Sequence, residues 1–294
     1  MPVIDNALYD HVAGTWWEKD GFMALLRVSV NPARVLYAQE VLKKTGRDPK
    51  KLQILDVGCG GGLMSKPLAQ MGGIVTGVDL SLPTLEAARA HAKGQNLSID
   101  YRVGDAQSLP FQDASVDVAV CCDVLEHVTD MPRVMSEVSR VLRPGGLFVF
   151  DTINRTWQSK LVAIKAAQDW PPTRFIPRDM HVWDMFVRPE ELSRALLKSH
   201  LLPREMTGLS PAASPFVSAF TILRRKAGLI SYQRMGELLP LKKSLDMSVS
   251  YMGYAEKSHF AACAAPQQGV SASTAALNLS PEALLAEALL GESP

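Results

Sequence analysis

From Gln53 to about Phe150, short β-branched or apolar runs alternate with stretches whose apolar residues recur at helical spacing. That alternation is the signature of βαβ units built around a parallel sheet. The runs Gln53 to Val57, Ile74 to Val78, Ile99 to Val103, Val116 to Cys121 and Leu147 to Thr152 read as strands. Leu63 to Met71, Leu82 to Lys93 and Met131 to Leu142 read as the helices between them, with Arg143-Pro144-Gly145-Gly146 as a turn into the fifth strand. The expected fold class is α/β, a doubly wound sheet.

A chain of 294 residues can carry such a sheet with sizeable additions. Residues 1–50 read as a helical cap supplying Trp16, Trp17, Phe22, Leu25 and Leu26, and 51–257 as the main domain. Two insertions interrupt it. Residues 155–190 carry Trp157, Trp170, Phe175, Trp183 and Phe186 and suggest a lid after strand five; 210–246 carry Phe216, Phe220, Leu223, Arg224, Arg225 and Lys226. A helix is expected over Pro189 to Ser199, and strands near Leu202 to Leu209 and Met247 to Glu256. Residues 258–294 read as a flexible tail, with an Ala-, Ser- and Gln-rich tether over 261–280 and a short helix that Ser280 would cap and Gly291 end.

The first strand runs into Asp56-Val57-Gly58-Cys59-Gly60-Gly61-Gly62, a glycine-rich turn opening a helix. Glycines let a ligand approach the backbone, and a helix N-terminus attracts negative charge. A tight turn alone would also explain them. Asp79 closes the second strand about 20 residues later, where a carboxylate can accept both ribose hydroxyls. Asp105 follows the third, where one can accept from an exocyclic adenine amine. Acids at successive strand ends suit an adenosine ligand without a pyrophosphate, and the turn departs from the dinucleotide pattern Gly-x-Gly-x-x-Gly.

These motifs resemble those of class I S-adenosylmethionine-dependent methyltransferases over about residues 50 to 152. Flanking stretches narrow the resemblance: Trp16-Trp17-Glu18, Asn31-Pro32-Ala33-Arg34, Leu125-Glu126-His127-Val128, Thr152-Ile153-Asn154-Arg155-Thr156 and Tyr251-Met252 occur in the order seen in ubiquinone-biosynthesis O-methyltransferases. That family implies a Rossmann-like sheet, S-adenosylmethionine as cofactor, and a catechol-type hydroxyl on a polyprenylated ring as acceptor. It also implies that Arg34, Gly58, Asp79 and Cys122 contact the cofactor, with Asp56 and Gly60 in its glycine turn. Arg34 suits a bidentate fork to the cofactor's carboxylate.

Asp123, Glu126 and His127 follow strand four, where an acceptor should lie. At spacings of three and four they could share one face of a helical turn. They suit a divalent cation, Mg²⁺ or one that accepts an imidazole, which would acidify a chelated hydroxyl. Alternatively His127 acts as general base, its ordinary pKa of about 6.5 lying near working pH. The plainer possibility is that Asp123 caps the next helix while Glu126 and His127 only form hydrogen bonds. The resemblance favours the metal, although Asp123 is shorter than the glutamate expected there. His181 falls at a lid histidine of the family and could contact the acceptor.

A net charge of +1 argues against a nucleic-acid surface, and no apolar run approaches the length of a membrane span. The opening Met1-Pro2-Val3-Ile4-Asp5 has no leader pattern, so a cytoplasmic location is expected, peripheral to a membrane or biosynthetic complex if the apolar and basic 210–246 segment docks there. Cys59, Cys121, Cys122 and Cys263 show neither zinc spacing nor disulfide density and are expected to be reduced. Two other functions stay open: a methyltransferase of specialised metabolism acting on a carboxyl, thiol, carbon or natural-product hydroxyl, and a non-catalytic cofactor-binding scaffold.

Overall fold

The computed structural model describes residues 7–259. The tether and the C-terminal helix expected beyond Lys257 lie outside them. Eight strands form one sheet in the order β3-β2-β1-β4-β5-β8-β6-β7. They are β1 Gln53–Val57, β2 Ile74–Asp79, β3 Asp100–Val103, β4 Val116–Cys122, β5 Leu142–Ile153, β6 Leu201–Pro211, β7 Leu241–Ser244 and β8 Ser250–Lys257. The first five pair in parallel, β8 returns antiparallel to β5, and β6 is antiparallel to both β8 and β7.

The helices are α1 Ala7–Val12, α2 Met23–Leu25, α3 Asn31–Lys44, α4 Ser65–Gln70, α5 Leu82–Gly94, α6 Met131–Val141, α7 Trp157–Ser159, α8 Pro189–Lys198, α9 Pro215–Lys226 and α10 Tyr232–Leu238. Both faces of the central strands are covered, which is why they read as continuous apolar runs. Leu55, Val57, Cys121, Phe148 and Phe150 pack with Val134, Met135 and Val138 of α6 and Leu192 and Leu196 of α8. On the opposite face, Ile54, Val118, Val120 and Val149 pack with Ala33, Tyr37 and Val41 of α3. The N-terminal segment therefore supplies a layer of the core, not only a cover.

Three differences from the sequence reading bear on the site. Residues 123–129 form a loop of turns, and the acid that caps α6 is Asp130, whose Oδ1 accepts from Arg133 N at 3.0 Å. Asp123 has φ 54°, a left-handed conformation that turns the chain away from a helix. The shared helical face expected of the trio is thus overturned, as is the plainer possibility that Asp123 caps the next helix. The Arg143–Gly146 turn is present as an interruption within β5: partners of Val116 and Val118 are Leu142 and Leu147. β7, short and mostly polar, was not expected. Among the described residues no helix is long and apolar enough to cross a membrane. α9 holds Phe216 and Phe220 outward at 80% and 55% exposure.

Candidate active site

The turn after β1 is possible because Gly58 and Gly60 take φ of 65° and 51°, which side chains disfavour. A Cβ on Gly58 would stand 2.3 Å from Val124 Cγ2, and one on Gly60 2.5 Å from Trp16 Cη2. Trp16 lies over the turn, and Trp17 Nε1 donates to Gly61 O at 2.9 Å, so the N-terminal segment clasps it. Asp79, at the end of β2, accepts from Gly60 N and Ser81 N, both at 2.9 Å. Burial raises its pKa, partly offset by these backbone donors. Asp105 accepts from Gln107 N at 2.8 Å. Asp56 is buried under the turn, accepts from Ser65 Oγ at 2.6 Å, and is pushed up to about 7 by burial.

Above these strand ends lies a cavity of about 440 Å³, within the range of small-molecule sites. Arg34, Asp56, Gly58, Gly60, Asp79, Asp105 and Cys122 all line it, as do Asp123 and His127. The glycine turn and the carboxylates of Asp79 and Asp105, all on the cavity wall, fit an adenosine-bearing cofactor. Arg34 sits differently from expectation. Its Nη2 pairs with Asp123 Oδ1 and its Nε with Asp151 Oδ2, each at 2.5 Å, so the fork is shared between two carboxylates and not presented whole to a ligand. Asp151 Oδ1 also accepts from Asp123 N at 2.9 Å, closing the arrangement.

The charges follow from burial. Burial would raise Asp123, but the charge and hydrogen bond of Arg34 outweigh it and hold the carboxyl below its usual range. Asp151 is pushed up to about 6, chiefly by burial against the counter-effect of Arg34. Glu126, fully buried, is pushed up to about 8 by burial and then by Asp123 and Asp151. Its Oε2 accepts from Thr152 Oγ1 at 2.7 Å. His127 is pushed down to about 3 by burial and then by His181, so its imidazole is neutral at neutral pH. Its Nε2 lies 3.2 Å from Tyr9 Oη, and the ring of His181 stands 5.4 Å away, centroid to centroid.

Asp123, Glu126 and His127 therefore diverge: one to Arg34, one to Thr152, one to Tyr9. As folded they are not a chelating set, and no group of three or more His, Cys, Asp or Glu side chains among the described residues is placed to hold a metal ion. Sequence reasoning missed Asp151, Thr152 and Tyr9. An acid inside Leu147-Phe148-Val149-Phe150-Asp151 was a usable signal, because a buried charge needs a partner. Nothing local marked Tyr9.

A carboxyl whose folded pKa is raised, as for Glu126, contributes stability fully below its ordinary value of 4.5 and loses it as pH rises through about 8. Glu126→Gln cannot ionise. Wild type is thus expected to lose stability relative to this variant between about pH 4.5 and 8, as measured by denaturant unfolding; parallel profiles would show that Glu126 ionises without penalty.

Residues 55–150 match the family model described as "Methyltransferase domain". The chain is 38% identical over 208 residues to a ubiquinone biosynthesis O-methyltransferase of Sinorhizobium fredii, covering 68% of this chain and 83% of that protein. It is 34% identical to one from a Bradyrhizobium species, covering 85% of this chain and 91% of the relative. A solved S-adenosylmethionine-dependent methyltransferase from Thermotoga maritima superposes with a TM-score of 0.55 at 17% identity, over 85% of this chain and 99% of that one. That likeness concerns the fold: a class I methyltransferase sheet with flanking helices.

Proposed function

The chain belongs to the ubiquinone biosynthesis O-methyltransferase family, and from that premise we propose that it methylates a phenolic hydroxyl of a catechol-type quinone precursor, using S-adenosylmethionine. The observation that carries the reading is a neutral, buried imidazole, His127, on the wall of the cavity that Gly58, Gly60 and Asp79 also line. When bound, S-adenosylmethionine supplies an electrophilic methyl group on a positively charged sulfur. The glycine turn would take its amino-acid end, Asp79 its ribose hydroxyls and Asp105 its adenine amine, with Asp56, Arg34 and Cys122 closing the wall beside them.

The chain's own task is then to place the acceptor oxygen in line with the methyl group and to take its proton. His127 is the proposed base. A pKa of about 3 makes it a weak one on its own, because burial resists a new charge. Protonation of His127 would add a positive charge as the bound methyl donor gave one up, so the site's net charge would be unchanged, and Asp123 favours the protonated ring. Burial thus opposes protonation less during the reaction than before it.

A divalent cation at Asp123, Glu126 and His127 would be another way to acidify the hydroxyl. The arrangement does not fit it: Asp123 Oδ1 is paired with Arg34, Glu126 Oε2 accepts from Thr152, and although Glu126 Oε1 is buried without a partner, no three such side chains among the described residues converge, so no step is drawn through a metal. The scaffold alternative is set aside by membership of a methyltransferase family; another acceptor class in specialised metabolism remains the competing reading. Residues 1–50 are proposed to act as the cap on this site and 155–190 as its lid, with a cytoplasmic setting and peripheral contact through α9.

The test is a panel of 3,4-dihydroxybenzoate, a benzoate lacking hydroxyls and a simple thiol, each with methyl-labelled S-adenosylmethionine, with and without chelator. Transfer to the dihydroxybenzoate that persists in chelator is expected. Transfer only to the other acceptors would overturn the reading; activity restored solely by added Mg²⁺ would show that the trio rearranges to hold a cation.

A further inference from the structure

Helix α1 enters the cavity from the N-terminal side, and its Tyr9 brings a phenolic hydroxyl to 3.2 Å from His127 Nε2. The two rings meet edge to face, at 90° and 5.8 Å between centroids. Both side chains line the cavity together with Asp79 and Gly60. His127 Nδ1 is buried without a hydrogen-bond partner, so Nε2 is the ring nitrogen in contact with a hydroxyl. A neutral imidazole offers one acceptor lone pair, which can receive one hydroxyl at a time. With its proton on Nδ1, His127 accepts from Tyr9 Oη at Nε2, and if His127 is the base that the proposed function requires, the lone pair needed by an acceptor phenol is then already taken by a phenol.

We propose that Tyr9 holds the place of the acceptor hydroxyl on His127 and must leave it when an acceptor binds, which makes α1 a gate on the acceptor side of the cavity. This rests on the reading of His127 above. The attachment of α1 suits an exchange. Asp10 Oδ1 accepts from Ser81 Oγ at 2.5 Å, and Tyr9 O accepts from Thr84 Oγ1 at 3.3 Å. These polar ties lie at the start of α5 and use Asp10 and the Tyr9 backbone, so among the described residues the Tyr9 hydroxyl itself is bonded only to His127. Ser81 N also donates to Asp79, so the helix rests on the same turn that orients the proposed ribose carboxylate.

The experiment uses the full chain saturated with S-adenosylhomocysteine and 3,4-dihydroxybenzoate as the probe. Tyr9→Phe keeps the ring and removes the competing hydroxyl. The probe is expected to bind the variant about two- to tenfold more tightly than wild type, the range that one exchanged hydrogen bond commands. In wild type, saturation with the probe is expected to speed hydrogen exchange at the amides of α1. Equal or weaker binding to Tyr9→Phe would overturn the proposal, as would α1 exchange that the probe leaves unchanged or slows. Absence of probe binding to both proteins would overturn it too. A probe that binds as expected but receives no methyl group would sink the proposed function while leaving the role of Tyr9 intact.

Discussion

His127→Ala is expected to bind S-adenosylhomocysteine like wild type and to transfer methyl groups about 10²–10⁴-fold more slowly, the usual cost of losing a positioned base. His127 lines the cavity against Tyr9 and His181, whereas the backbone donors that fix the glycine turn bond to Asp79, so cofactor affinity is expected to hold. The neighbouring groups cannot substitute. Asp123 is held by Arg34, Glu126 stays protonated up to about 8, and His181 is pushed down to about 4 by burial. Calorimetry of cofactor binding alongside single-turnover kinetics separates the two effects. Unaffected turnover would make the histidine structural.

Asp79→Ala is expected to weaken S-adenosylhomocysteine binding at least ~100-fold. The carboxylate does two things in the proposed site: it accepts from the proposed ribose hydroxyls, and it fixes the glycine turn through Gly60 N and Ser81 N. Hydrogen bonds to a charged group are worth roughly 1.5–3 kcal/mol each, and a donor left unsatisfied costs roughly 1–3 kcal/mol. Two lost hydrogen bonds from ribose hydroxyls to the charged group, about 3 kcal/mol or more together, exceed the ~2.8 kcal/mol that corresponds to 100-fold in affinity. A thermal melt run in parallel reports whether the turn itself has loosened, and equal affinity in a folded variant would remove Asp79 from the site.

The core was legible because its signals are local. β1 begins and ends at the residues that the apolar run Gln53 to Val57 indicated, since both faces of that strand are covered and every residue after Gln53 is buried. α5 follows from Ser81 as cap and Leu82-Pro83 at its start, with Ser81 Oγ accepting from Thr84 N at 3.3 Å. The residues named for the cofactor lie at carboxyl ends of parallel strands or on the helix packed beside them, and parallel pairing brings such ends to one edge. What was not legible depends on contacts far apart in sequence. The i, i+3, i+4 spacing of Asp123, Glu126 and His127 suggested one helical face, but Asp123 is held in a left-handed turn by Arg34 and Asp151, 89 and 28 residues away. Tyr9 reaches His127 across 118 residues. Spacing rules describe neighbours along a helix; they say nothing about a carboxylate claimed by another element.

The most direct test is a single turnover of 3,4-dihydroxybenzoate with methyl-labelled S-adenosylmethionine, the label then located by mass spectrometry. The label is expected on a ring oxygen in wild type, and on the same oxygen at least about a hundredfold more slowly in His127→Ala. Label on the carboxylate or a ring carbon, or equal ring-oxygen labelling by the variant, would contradict the account.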